Sequence, residues 1–69
     1  MDIRKQVGLN VKRLRQEKGW SQEEFAFESD LHRTYVSGIE RGIRNPTVTT
    51  IRKLAVTLEV TPGELLDES

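Results

Sequence analysis

Residues 19–47 read GWSQEEFAFESDLHRTYVSGIERGIRNPT, and the punctuation of this stretch decides the fold. Gly19 stops whatever helix precedes it. Ser21 followed three residues later by Glu24 has capping-box spacing, each side chain accepting from the other's backbone N–H. A short helix therefore opens at Gln22, buries Phe25 and Ala26, and ends near Glu28. A tight connection at Ser29, Asp30 and Leu31 leads into a second short helix over 33–41, with Val36 and Ile39 inward and Gly42 just past its end. IRNPT then reads as a loop, because Pro46 disfavours helix at Asn45 and Thr47 can cap the next helix.

Upstream, Ile3, Val7, Val11 and Leu14 recur at spacings of four, four and three. They mark the buried stripe of a helix from about Asp2 to Lys18. Downstream, Ile51, Leu54, Ala55 and Leu58 form the stripe of a fourth helix, and Thr61 before Pro62 opens a final short one, PGELLD. No segment alternates as a strand does, and there is no internal repeat or low-complexity linker. The expectation is one all-α domain spanning 1–69, a compact bundle of five helices.

Composition bounds what such a bundle can be. The 69 residues bury about 60% of the unfolded surface, enough for one core, and without cysteine neither a disulfide nor a thiolate metal site can staple it. No signal-like apolar run opens the chain and no stretch of roughly 18 apolar residues occurs, so a soluble cytoplasmic protein is expected. Formal net charge is zero. Its distribution is uneven: residues 1–18 hold six basic and two acidic side chains, a net of +4, while residues 19–44 and 45–69 are each −2. The basic run reads either as one pole of a polarised molecule or as a solvated helix face.

Two short helices joined by a tight turn have the helix-turn-helix arrangement, in which the second helix enters the DNA major groove, although many helical bundles contain such a pair. The stretch 19–47, with VGLNVKRLR before it and TIRKLAVTLEVTPGELL after it, closely resembles the helix-turn-helix family of lambdoid-phage repressors and Cro, the XRE family. LHRTYVSGIERG resembles in particular the small controller proteins of restriction–modification systems; a phage repressor, plasmid regulator or antitoxin carries similar residues. The resemblance implies a repressor-like DNA-binding domain that reads a palindromic operator on double-stranded DNA as a homodimer. It also implies control of its own operon, with RNA polymerase as a further partner.

At 100° per residue, Val36, Ile39 and Glu40 face the core, while Thr34, Ser37, Gly38 and Arg41 point away, with Arg33 at their edge. Arg33, Thr34, Ser37 and Gly38 are therefore the base-contact set. Arg33 can grip guanine O6 and N7 with its planar fork, a phosphate contact or a solvated arginine being the alternatives. Thr34 offers a hydroxyl or a methyl, and Ser37 a hydroxyl to DNA or to solvent. Gly38 reads as a gap that lets the backbone approach the duplex, or as a base pair left unread.

His32 stands where the family usually has a serine or threonine cap and can reach a phosphate. Tyr35 can do so through its hydroxyl or be partly buried. Gln22 at the N-terminus of its helix, and Arg44, Asn45 and Thr47 in the loop, complete the phosphate set. In the family, the positions of Arg15 and Glu40 form an ion pair tying the first helix to the recognition helix. Asp30 and Glu59 depart from the family by standing where glycine is usual. Val56, Leu65 and Leu66 are the expected dimer interface.

No catalytic pair, phosphate loop or multi-histidine set is present, so neither enzyme activity, metal nor cofactor is expected. The serious rival is a protein-interaction module, such as an antitoxin or anti-repressor component, using the same fold.

Overall fold

The computed structural model describes residues 2–67. Five helices make up the described chain: α1 (Ile3–Glu17), α2 (Gln22–Ser29), α3 (Arg33–Glu40), α4 (Val48–Leu58) and α5 (Pro62–Leu66). Each starts where a short polar side chain can take up free N–H groups, with one exception at α3. Asp2 accepts from the Arg4 N–H, Ser21 and Glu24 form the full capping box, Thr47 accepts from Thr50, and Thr61 and Glu64 form a second box. His32, at the start of α3, makes no side-chain cap bond.

The core is drawn from every helix: Val7 and Val11, Phe25 and Ala26, Val36 and Ile39, Leu54, Ala55 and Leu58, and Leu65. The α1 stripe is shorter than its spacing suggests, because Ile3 is 54% exposed where the first turn overhangs the core. α1 crosses the end of α3 closely at Gly8, where an added Cβ would lie 2.3 Å from the Ile39 carbonyl oxygen and 2.7 Å from that of Glu40. Only glycine permits that crossing.

α5 is fastened beneath α1 by amides. Asn10, 1% exposed, donates through Nδ2 to the Leu65 and Asp67 carbonyl oxygens at 2.8 Å each, and Gln6 Nε2 donates to Asp67 O at 2.8 Å. These bonds satisfy the carbonyls that a helix end leaves without partners. They also fix the rotation of α5, which corrects one expectation: Leu65 is fully buried at 0% and is core, whereas Leu66 is 46% exposed.

Candidate nucleic-acid interface

α2 and α3 are joined by a turn in which Asp30 takes the left-handed conformation, φ 59° and ψ 44°. An aspartate tolerates that region better than most residues, so the departure from glycine is accommodated. From this turn α3 presents Arg33 and Thr34 exposed and Ser37 half-buried, with His32 exposed before them. The first turn of α3 contains no acidic residue, nor does that of α4. Their N-terminal ends thus keep the partial positive charge that favours an anion. α2 differs, since Glu23 and Glu24 stand in its first turn. The Ser21 backbone N–H, donating to Glu24 at 2.9 Å, holds that carboxyl below its ordinary range.

Behind α3 lies a buried polar network. Arg15 donates from Nε to Glu40 Oε2 at 2.7 Å and from Nη2 to Oε1 at 3.1 Å, a two-pronged grip, while its Nη1 donates to the Trp20 carbonyl at 2.7 Å. Gln22 Nε2 adds a bond to Glu40 Oε1 at 3.0 Å. One carboxylate therefore joins α1, the start of α2 and the end of α3. Gln22, assigned from sequence to a phosphate, is half-buried with its amide nitrogen already bound in this network.

The basic run of α1 is largely engaged in ion pairs: Arg4 with Asp2, Arg13 with Glu17, Arg15 with Glu40 and Lys18 with Glu59. The cations on and just after α3 are instead Arg33, Arg41 and Arg44, all exposed.

Gly38 requires the other correction. By helical phase it belongs to the outer face, yet it is buried. The Arg44 stem lies over it, with Cγ 2.5 Å from where a Cβ would stand. No gap opens toward solvent there. Nothing in the local spacing announces this, because the contact returns through the turn at Gly42. Tyr35 is half-buried, with the Arg44 guanidinium 5.7 Å from its ring centre. Asn45 and Thr47 are exposed beside this loop. On α4, Val56 is 69% and Val48 87% exposed, around an apolar groove that Ile51, Val60 and Pro62 also line.

A short helix held across another by a tight turn, its first turn free of carboxylates and its outer side chains in solvent, defines a helix-turn-helix domain. The chain belongs to the helix-turn-helix family, whose pattern matches residues 11–65. The control protein C.BamHI of Bacillus amyloliquefaciens is 49% identical over 67 residues, covering 96% of this chain and 83% of that protein. The restriction-modification controller protein C.AhdI from Aeromonas hydrophila superposes with a TM-score of 0.86 at 47% identity, covering 90% of this chain and 94% of that one. SinR, the master regulator for biofilm formation, solved in complex with DNA, superposes with a TM-score of 0.84 at 35% identity, covering 88% and 98% of the two chains. The chain is a transcriptional regulator of this family, with restriction–modification controllers among its relatives. No helix among the described residues is long and apolar enough to cross a membrane.

Proposed function

We propose that the chain binds a palindromic DNA operator as a homodimer and thereby controls its own operon, as a restriction–modification controller would. The observation that carries this reading is the N-terminal turn of α3, where Arg33 and Thr34 stand exposed on a helix clamped from behind by the buried Arg15–Glu40 pair. A helix fixed in that way can present a fork and a hydroxyl to base edges with little loss of order on binding. Arg33, Thr34 and Ser37 read bases. His32, Tyr35, Asn45, Thr47 and Arg44 meet the backbone on either side, and Gln22 meets it through whatever hydrogen-bonding capacity its bond to Glu40 leaves. SinR, with the same fold, has been solved with DNA, which supports the choice of partner.

The second copy is supported by the α4–α5 surface, where Val48 and Val56 stand in solvent around one apolar groove. Two exposed valines beside one groove offer apolar surface that a second copy would cover. The test is a gel shift on DNA upstream of the chain's own gene at two salt concentrations. Specific binding whose log K falls by about 0.9 per log unit of salt for each phosphate neutralised is expected. No specific shift, together with a stable complex with a neighbouring gene product, would instead establish the interaction-module reading.

A further inference from the structure

We infer that Gly38 is the seat of Arg44: the missing side chain lets a loop arginine lie across the outer face of α3, so Gly38 positions a DNA-contacting cation and touches no DNA itself. The inference rests on the proposed DNA binding and gives the empty position a mechanical reason.

Three observations converge on the seat. The Gly38 carbonyl oxygen accepts from both the Ile43 and Arg44 backbone N–H groups, at 3.0 and 3.3 Å, which brings the loop back over the helix. A Cβ at Gly38 would fall 2.5 Å from Arg44 Cγ, 3.4 Å from Nε and 3.5 Å from Cδ, so the stem of the arginine passes through the space any other residue would fill. At the far end the guanidinium rests 5.7 Å from the centre of the Tyr35 ring, within cation–π range. The ion pairs among the described residues do not include Arg44, so no carboxylate competes for its donors.

Glycine is a poor helix residue, and here it is placed where a backbone carbonyl, an absent side chain and an aromatic ring together order one flexible arginine. An arginine ordered before the duplex arrives forfeits less rotamer freedom on binding. Arg44 thus supplies, from the loop, the cation that position 38 does not carry.

The test is a cycle of four proteins: the natural chain, Gly38→Ala, Arg44→Ala and the double variant. Each is read by the salt dependence of operator binding and by the thermal midpoint without DNA. Arg44→Ala is expected to lower the salt slope by about 1 per half-site, and Gly38→Ala to lower it in the same direction while Arg44 is present. In the Arg44→Ala background, Gly38→Ala should leave slope and affinity unchanged and raise the midpoint by about 4–8 °C. With Arg44 present the midpoint gain should be smaller.

An unchanged slope for Gly38→Ala overturns the inference, as does equal weakening with and without Arg44, which would mean that the new methyl meets DNA directly. If the natural chain binds no operator, the functional reading falls, and the two midpoint gains still decide the seat: equal gains overturn it.

Discussion

Glu40 shows how one buried side chain fixes a binding surface it does not belong to. Its side chain is 3% exposed and that of Arg15 9%, yet the carboxylate receives three side-chain donors, two from Arg15 and one from Gln22. A buried ion pair is weak support for stability as a whole, but removing one partner strands the other's charge away from water. Glu40→Gln is therefore expected to destabilise the fold by about 3 kcal/mol or more in urea denaturation. Gln22→Ala, which deletes a single donor and leaves the pair intact, should lose only about 1 kcal/mol. Equal effects would deny the carboxylate its central place. Arg33 is the opposite case, exposed and with nothing folded to lose. Arg33→Ala should keep stability and relax discrimination by about 1–3 kcal/mol at one base pair per half-site, measured against a panel of operator variants. Uniform weakening across that panel would place Arg33 on the backbone instead.

Helix ends carry most of what can be tuned between helices. Asp30 and Glu59 both close their helices in the left-handed conformation, at φ 59° and 61°. Asp30→Gly is expected to raise stability by up to about 1 kcal/mol, because glycine enters that region without the Cβ penalty. Glu59→Gly should gain less, since Glu59 is also the partner of Lys18, whose ammonium holds its carboxyl below the ordinary range. The α2 capping box has a pH signature. Glu24 titrates below its ordinary 4.5, chiefly because it accepts from the Ser21 N–H. Its contribution is present above that value and is lost as pH falls through the lowered folded one. Glu24→Gln, whose amide oxygen can still cap, should flatten the acid limb of the stability curve. An unchanged limb would mean the box does not couple to folding. Such ends are legible in the sequence because capping is local: Ser21 and Glu24 stand three residues apart, and Thr61 directly precedes Pro62. Contacts that return from far along the chain are not written in local spacing. Asn10 reaches Leu65 across 55 positions, and no periodicity foretells which of Leu65 and Leu66 that bond turns inward. The same limit hides Arg44 above Gly38.

Size makes the second copy a geometric requirement of the proposed operator. The described residues measure 28 × 21 × 21 Å and α3 is the one helix proposed to read bases, whereas successive major-groove faces of a palindrome lie about 34 Å apart. One copy cannot reach both half-sites. With a formal net charge of zero, the chain also lacks the bulk positive charge that gives many DNA-binding domains their affinity, so doubling the specific contacts matters more here. The α4–α5 groove is the surface on which to test this, and the burial of Leu65 separates assembly from folding. Val56 is 69% exposed, so Val56→Asp leaves the monomer core intact; in a two-fold interface the carboxylate enters twice, once from each copy, and is buried among apolar groups. Val56→Asp is expected to remain fully helical by circular dichroism, to sediment as a monomer at concentrations where the natural chain is dimeric, and to lose most operator affinity. Leu65→Ala acts instead on the fold, with an expected loss of about 2–5 kcal/mol, whatever the state of assembly. Should Val56→Asp still sediment as a dimer, the copies meet elsewhere, and the apolar groove on α4 and α5 would belong to a different partner.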